Sequence, residues 1–168
     1  TGTVHNTGIV TAAAFCQGVE LANLEFIQYH PTTFQIPGKR CLVSEAARSE
    51  GGRLMARRNQ SKWYFMEDIY GEDGNLAPRD VISREMEKIY RRPDCDHQIW
   101  MDMTAVPSEA WRSKLSGMRS ECMDYLQIDP MKNPVPVEPG VHYFMGGILT
   151  DIYHRTSKRF LYAAGECA

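Results

Sequence analysis

The chain has 168 residues, of which 43% are hydrophobic and 24% are charged, and its formal net charge is −2. This length allows one hydrophobic core with room for pieces of a neighbouring domain, and the near-neutral charge gives no reason to expect nucleic acid or an anionic membrane as a partner. No apolar run approaches the roughly 20 residues of a membrane-spanning helix, so direct membrane insertion is not expected.

The cysteines and the chain ends indicate where the protein works and how complete it is. The five cysteines are widely spaced and include no CxxC pair, so no zinc, iron–sulfur or other metal site is predicted. Free thiols and the lack of a signal-peptide pattern indicate a reducing, cytoplasmic compartment. The chain begins at Thr1 without a methionine and stops in the apolar run FLYAAGECA. Natural termini are usually polar, so we expect a segment of a longer protein.

The first predicted elements are a helix and a strand. The run at residues 8–17 is rich in Ala and predicts a helix that Asn6 or Thr7 caps. The run LEFIQY at residues 24–29 has aromatic and branched residues at near-alternating spacing, which is typical of a strand. Pro31 is expected to end this strand, because proline cannot donate a hydrogen bond to a sheet.

Two helices and a strand are predicted in the middle of the chain. Residues 44–48 predict a short helix with Ser44 as its N-cap. Residues 62–66 predict a short strand. Pro78 opens a longer helix over residues 79–91, because proline suits the first turn and the apolar residues then recur at near-helical spacing.

The last third of the chain predicts strands around one further helix. Residues 99–103 predict a buried strand, and residues 108–127 predict a helix with Ser108 as its cap. Three prolines within residues 133–139 predict an extended segment that cannot be a central strand. Further strands are predicted at residues 141–151, with a break at the glycines, and at residues 160–163. Short strands interleaved with two long helices predict an α+β fold.

Several polar or charged residues lie inside otherwise apolar runs, where charge is costly to bury without a partner or a ligand. They are His30, Ser44, Glu45, Arg48, Arg79 and His142. Glu45 and Arg48 are three residues apart and share a helix face. Two imidazoles, a hydroxyl and two guanidiniums with one carboxylate predict an electropositive pocket. Guanidinium binds carboxylate in a bidentate manner, so this pocket suits a small dicarboxylate.

Each of these residues also has a purely structural interpretation. His30 fits a hydrogen-bonded histidine at a strand end, and Glu45 with Arg48 fits a surface ion pair worth roughly 0–1 kcal/mol. Arg79 lies at a helix start, where the macrodipole prefers anions, and this placement favours a functional role. The run Asp94-Cys95-Asp96-His97 has metal-ligand residue types but is predicted to be a solvated loop. A non-catalytic dicarboxylate-binding module and a structural domain are therefore alternatives to an enzyme.

Five motifs, in order, resemble one protein family: LEFIQYHPTTF, LVSEAARSEGG, LAPRDVISREM, DPMKNPVPVEPGVHYFMGGILTD and LYAAGEC. Together they are similar to the flavoprotein subunits of fumarate reductase and succinate dehydrogenase and to their relative L-aspartate oxidase. The resemblance implies a Rossmann-type FAD-binding domain that is interrupted by a mobile capping domain over flavin and substrate. On this basis residues 1–23 belong to the FAD-binding domain, residues 24–144 form the cap, and residues 145–168 return to the FAD-binding domain.

The resemblance also implies a role for each matched residue. Positions that hydrogen-bond a substrate carboxylate are matched by His30, Ser44 and His142. Ser44 replaces the usual threonine, which keeps the hydroxyl. Arg79 matches the arginine that delivers a proton to the substrate carbon. Glu45 and Arg48 match the relay that resupplies this proton.

FAD is the cofactor that the resemblance implies, with Gly165 and Glu166 of LYAAGEC at cofactor-binding positions. The GxGxxG fingerprint does not occur in the sequence, so we expect this chain alone neither to hold FAD tightly nor to turn over. The implied substrate is fumarate or succinate, and the implied partner is an iron–sulfur subunit. The implied location is the cytoplasm, peripheral to the inner membrane through partner subunits.

Two activities within the family fit the motifs. The runs HYFMGGI and DPMKNPVPV favour fumarate reductase or succinate dehydrogenase. The runs LAPRD and HPTT favour L-aspartate oxidase, which converts aspartate to iminoaspartate in NAD biosynthesis. Interconversion of fumarate and succinate is therefore the first interpretation, and aspartate oxidation is the second.

Overall fold

The computed structural model describes residues 7–168, and this part of the chain separates into two compact units. The first unit is Tyr29–Gly140, and the second combines residues 7–28 with Val141–Ala168. Helices and strands occur in both units, so the predicted mixture of helix and strand is confirmed. None of the helices within residues 7–168 is long and apolar enough to cross a membrane.

The elements are short and follow one another closely. The helices are α1 (Ile9–Cys16), α2 (Glu45–Ser49), α3 (Phe65–Tyr70), α4 (Arg79–Tyr90), α5 (Ser108–Ser113) and α6 (Ser116–Glu121). The strands are β1 (Leu21–Ala22), β2 (Ile27–Ile36), β3 (Lys39–Leu42), β4 (Arg53–Arg58), β5 (Ser61–Trp63), β6 (Cys95–Asp102), β7 (Val135–Phe144) and β8 (Gly147–Ile148). A 3₁₀ turn follows α3 at Glu72–Leu76, and a π-helical turn follows α6 at Cys122–Leu126.

A six-stranded sheet organises the first unit, with its strands in the order β3-β2-β7-β6-β4-β5. The pairs β2–β3, β6–β7, β4–β6 and β4–β5 are antiparallel. Helix α4 packs against β6, because its apolar residues recur on one face. The core between them includes Ile82 and Met86 of α4 with Ile99 and Met101 of β6, and these four side chains are fully buried.

The second unit has a smaller core. Strand β1 pairs antiparallel with β8, and the buried cluster consists of Val19, Ile148 and Ala163. Helix α1 confirms the helix predicted at residues 8–17. Its N-cap is Gly8 in the left-handed conformation, so Thr7 is not the cap, and no side chain caps the helix. Asn6, the other predicted cap, lies outside the described residues.

Pro31 does not end the second strand, and that prediction is wrong. Strand β2 continues through Pro31. Its register with β3 begins at Thr33, which lies opposite Leu42. Pro31 therefore precedes the β2–β3 ladder, and its missing N–H costs that ladder no hydrogen bond. A turn at residues 37–38, which the sequence analysis does not predict, connects β2 to β3.

The proline-rich segment belongs to an interior strand, which contradicts the prediction for residues 133–139. Strand β7 lies between β2 and β6 in the sheet. Its register places Val135, Pro136 and Val137 opposite Met101, Trp100 and Ile99. Neighbouring pairs in an antiparallel ladder alternate between hydrogen-bonded and non-hydrogen-bonded, so a proline is tolerated where its nitrogen does not face that partner.

Residues 108–127 form two short helices and a π-helical turn rather than one helix. The break comes at Leu115, whose φ of −114° is outside the helical range. The Leu115 side chain is fully buried at this break. The N-cap of α5 is Pro107, and the prediction of Ser108 as a cap is wrong.

Two other strand predictions also need correction, and two helices are confirmed. The strand predicted at residues 160–163 is a single bridge between Arg155 and Tyr162. The strand predicted at residues 62–66 ends at Trp63, and α3 then begins, with its apolar first residues buried in the core. Helices α2 and α4 confirm the predictions at residues 44–48 and 79–91.

Gly52 and Gly117 provide a matched test of how closely the backbone packs in the first unit. A Cβ on Gly52 would lie 2.6 Å from the carbonyl oxygen of Ala47, whereas a Cβ on Gly117 would meet no described atom within 4 Å. We expect Gly52→Ala to lower the free energy of unfolding by about 1–3 kcal/mol. Gly117→Ala, in α6, should leave it unchanged or raise it by up to about 1 kcal/mol. Thermal unfolding of the full-length protein measures both, and equal midpoints would contradict the close approach at Gly52.

Candidate active site

Helix α2 carries three of the predicted residues. Ser44 Oγ accepts a hydrogen bond from the Ala46 N–H at 3.2 Å, so Ser44 is the N-cap of α2. Arg48 Nη2 donates to Glu45 Oε1 at 3.2 Å. The Arg48 side chain is 0% exposed and that of Glu45 is 47% exposed. The pair therefore connects the interior of the first unit with its surface. It is not a surface ion pair, because only Glu45 is exposed.

Helix α4 brings Arg79 to the same carboxylate. Pro78 is the N-cap of α4, and Arg79 is its first residue. Arg79 Nη2 donates to Glu45 Oε2 at 3.0 Å, although the two residues are 34 positions apart. Glu45 thus accepts a hydrogen bond from a different guanidinium on each of its two oxygens.

The two guanidiniums determine the charge of Glu45. The hydrogen bond from Arg79 lowers the pKa of Glu45 below its ordinary value, and the charges of Arg48, Arg79 and His30 lower it further against the opposing effect of partial burial. Burial lowers the pKa of Arg48, although the charge of Glu45 raises it. At neutral pH Glu45 is therefore a carboxylate between two cations. Arg48 holds its proton less tightly than a solvated arginine does.

His30 lies close enough to act on the pKa of Glu45 and is held by its own strand. It is in the middle of β2 rather than at a strand end, and it is 1% exposed. His30 Nδ1 lies 3.2 Å from both the backbone nitrogen and the carbonyl oxygen of Thr32, so either tautomer of the ring has a partner there. Thr32 Oγ1 donates to the carbonyl of Val43 at 2.8 Å, and this bond ties β2 to the residue before Ser44.

The predicted residues fall into both units. The first unit brings together Glu45, Arg48 and Arg79, and it also contains His30 and Ser44. His142 lies in β7 within the second unit and is partly buried. Gly165 and Glu166 also lie in the second unit, at an exposed turn.

Asn75 belongs to the same hydrogen-bonded cluster, and the sequence does not mark it. Arg48 Nη1 donates to the backbone carbonyl of Asn75 at 2.8 Å. The Asn75 side chain accepts from the Leu54 N–H at 2.8 Å and donates to Glu67 Oε1 at 3.0 Å. In the sequence Asn75 ends the polar run GEDGN, which predicts a turn. A turn signal does not indicate which side chain is buried, so no local pattern could have found it.

Gly165 and Glu166 lie where the resemblance implies cofactor binding. The φ of Gly165 is +85°, and no described atom lies within 4 Å of the position that a Cβ would take, as at several other glycines of the chain. Open backbone of this kind is compatible with the close approach of FAD. Glu166 follows Gly165 and is exposed.

The run Asp94-Cys95-Asp96-His97 is structural. Cys95–His97 lie in β6, so the prediction of a loop is wrong for these three residues. Asp94 forms ion pairs with Arg58 and Arg92, both at 2.8 Å. Within residues 7–168, no three or more His, Cys, Asp and Glu side chains are grouped so as to hold a metal ion.

Comparison with known sequences gives these residues a family context. The family described as FAD binding domain matches residues 1–168. The chain is 36% identical over 99% of its length to the succinate dehydrogenase flavoprotein subunit of Bacillus subtilis. It is 38% identical over 97% of its length to the L-aspartate oxidase of a Nostoc species. The chain spans 29% and 28% of those two proteins, which is less than a third of each.

Solved structures with similar folds come from the same group of proteins. A mutant form of the quinol fumarate reductase flavoprotein FrdA of E. coli has a TM-score of 0.82 and 31% identity, and the match covers 99% of this chain and 30% of that one. A quinol–fumarate reductase with menaquinol molecules has a TM-score of 0.81 and 32% identity, covering 96% of this chain and 30% of that one. Sequence and structure therefore agree on the relatives.

The charge of Glu45 predicts a pH-dependent contribution to stability. Its pKa in the folded protein lies below the ordinary value of 4.5. The stabilisation is therefore complete above about pH 4.5 and is lost as the pH falls through the lower, folded pKa. We expect Glu45→Gln to reduce the thermal midpoint of the full-length protein at neutral pH and to approach the wild type in acid. Glu87→Gln, at an exposed ion pair of α4, is the control. A difference between Glu45→Gln and wild type that is constant from about pH 3 to 7 would contradict this sign.

Proposed function

The chain belongs to the FAD-binding flavoprotein family of succinate dehydrogenase, fumarate reductase and L-aspartate oxidase, and we propose that the protein carrying it interconverts fumarate and succinate. The observation that carries this proposal is the position of Glu45 between Arg48 and Arg79, at 3.2 and 3.0 Å. Reduction of the alkene in fumarate requires a proton at one carbon when a hydride reaches the other. A guanidinium–carboxylate–guanidinium chain is a suitable source of that proton.

The residues of this chain supply substrate binding and the proton. FAD, the cofactor of this family, supplies the hydride chemistry when bound, and Gly165 and Glu166 contact it in this proposal. Ser44 uses a lone pair to accept from the Ala46 N–H, so its O–H is able to donate to a substrate carboxylate. In this proposal His30 and His142 also donate to a substrate carboxylate, each through a ring N–H. The cationic cluster stabilises the negative charge that develops on the carboxylate side of the substrate.

Arg79 delivers the proton in this proposal, and Glu45 restores it from Arg48. A solvated guanidinium has a pKa above about 12 and rarely gives up its proton. The transfer is supported by the hydrogen bond between Arg79 and Glu45, which allows the proton to be replaced without diffusion. Burial favours proton release from Arg48, because it lowers the pKa of that side chain. In succinate oxidation the proton moves in the opposite direction, from the substrate carbon to Arg79.

The first unit acts as the substrate-covering domain in this proposal. Tyr29–Gly140 is compact, and the two flanking segments, residues 7–28 and Val141–Ala168, associate with each other in a separate unit. An inserted domain has this organisation, because its host domain must be continuous in space although it is interrupted in sequence. The host domain is the FAD-binding domain, to which the second unit contributes part.

The name of one relative supports a multi-subunit protein. The Bacillus subtilis relative is named as a flavoprotein subunit. We propose that the protein assembles with an iron–sulfur subunit that exchanges electrons with the flavin. It lies in the cytoplasm, peripheral to the inner membrane through this assembly.

Replacing Arg79 tests the proposed proton delivery. We expect Arg79→Gln in the full-length flavoprotein to lower kcat for fumarate reduction by a reduced viologen about 10²–10⁴-fold, because the amide cannot give a proton to carbon. Arg84→Gln is the matched control, since Arg84 lies on the same helix in an exposed ion pair with Asp80. It should stay within about twofold of the wild type. Wild-type turnover by Arg79→Gln would leave Arg79 with a structural role.

L-aspartate oxidase is the second candidate, because the Nostoc relative of that name is as similar to the chain as the succinate dehydrogenase subunit is. Two assays of the full-length flavoprotein separate the candidates. Fumarate with a reduced viologen reports the first activity, and hydrogen peroxide from aspartate and oxygen reports the second. We expect fumarate reduction, with peroxide no higher than in reactions without aspartate. Peroxide production that depends on aspartate would reverse the order of the two candidates.

A further inference from the structure

The orientation of Arg48 depends on an acceptor outside its own helix. Its Nη2 donates to Glu45 at 3.2 Å, and its Nη1 donates to the backbone carbonyl of Asn75 at 2.8 Å, 27 residues away. Its Nε is buried and has no hydrogen-bond partner among the described residues. Two acceptors on opposite sides therefore define the plane of this guanidinium, because a planar cation with five N–H groups is aligned by the acceptors that it reaches.

Asn75 is held in place on several sides. Its Oδ1 accepts from the Leu54 N–H of β4, and its Nδ2 donates to Glu67 of α3. The preceding residue, Gly74, is packed so closely that a Cβ there would lie 2.1 Å from the carbonyl oxygen of Met66. Asn75 is 6% exposed. Its carbonyl oxygen is therefore fixed relative to both β4 and α3.

Glu67 is a well-defined partner for Asn75. It forms a bidentate ion pair with Arg53, and the hydrogen bond from Arg53 lowers the pKa of Glu67. The Arg53 guanidinium also lies over the ring of Tyr64, at 3.6 Å from its centroid. The Glu67 carboxylate thus stays charged and oriented as an acceptor for the Asn75 amide.

A cleft of about 300 Å³ lies beside this network, and its lining includes Arg48, Arg53, Glu67 and Asn75. The Arg48 side chain nevertheless has no exposed surface. Packing therefore confines the side chain, and the hydrogen bonds to Asn75 and Glu45 select the orientation of its guanidinium within that space.

We propose that Asn75 is the positioning residue of the proton relay: its carbonyl oxygen, held by its own side-chain hydrogen bonds, aligns Arg48 with Glu45. The inference rests on the proposed function, because the relay is part of that function. Asn75 contacts Arg48 and not the Glu45–Arg79 pair, so it acts on the pair through Arg48. Its loss should slow proton supply without weakening substrate binding.

A double-mutant cycle in the full-length flavoprotein tests this role. We expect Asn75→Ala to lower kcat for fumarate reduction by between about tenfold and a hundredfold, with KM for fumarate within about twofold of the wild type. In an Arg48→Met background the same substitution should cause no further loss, because the residue it positions is gone. Asn75→Asp keeps the acceptor for Leu54 but replaces the donor to Glu67 with a second carboxylate beside it. We expect a loss of kcat at least as large as that of Asn75→Ala, and again only when Arg48 is present. Thr104→Val, which removes a hydrogen bond to Asp102 outside this network, is the control and should leave kcat unchanged.

The outcomes separate this inference from the proposed function. If Asn75→Ala lowers kcat by the same factor in the wild-type and Arg48→Met backgrounds, Asn75 has a general structural role. That result would overturn the inference, while the relay would stand. Wild-type kcat in both Asn75 variants would overturn it as well. Wild-type turnover by Arg48→Met would remove the relay itself, and with it both the inference and the proton-supply part of the proposed function. If Asn75→Ala does not yield folded, flavin-containing protein, Asn75→Asp replaces it in the cycle. Its effect on kcat is then compared between the protein with Arg48 and the Arg48→Met variant.

Discussion

A carboxylate that accepts hydrogen bonds from two guanidiniums connects the main segments of the first unit. Arg48 is a cation with a fully buried side chain, and a buried charge without a partner costs several kcal/mol. Glu45 supplies part of the compensation from α2, and the carbonyl of Asn75 supplies the rest from the 3₁₀ turn. Arg79 then joins α4 to the same carboxylate. Helix α2 and the turn must therefore pack together for the charge of Arg48 to be buried with its partners, and Arg79 adds α4 to the same cluster.

The same constraint makes stability and chemistry compatible in this cluster. Glu45 has a guanidinium on each oxygen, and both guanidiniums belong to the proposed proton relay. The three groups also differ in exposure, since the Arg48 side chain is fully buried, that of Arg79 is 29% exposed and that of Glu45 is 47% exposed. The middle group, Glu45, is the most exposed of the three, so the chain joins a buried cation to a carboxylate that solvent reaches. The structural and functional interpretations of these residues therefore apply together.

Local signals predicted the helices that carry the cluster and only part of the sheet. Ser44 and Pro78 define the starts of α2 and α4 through cap chemistry, which needs no distant partner. The buried strand predicted at residues 99–103 overlaps β6. Local chemistry predicts that Pro31 ends a strand and that the prolines of residues 133–139 exclude a central one. Strand β2 nevertheless continues through Pro31 and β7 is interior, because the effect of a proline depends on which neighbour its nitrogen faces. Helical periodicity does not reveal the break at Leu115.

The sequence by itself determined the family, through five ordered motifs, and it determined that Glu45 and Arg48 share a helix face, because a spacing of three fixes neighbours on one turn. The tertiary structure alone decided that Arg79 reaches the far oxygen of Glu45 and that Asn75 holds Arg48. Those contacts join residues 34 and 27 positions apart. They exist because β4, α3 and α4 pack into one core, and no local pattern of residues encodes the direction in which a side chain crosses such a core.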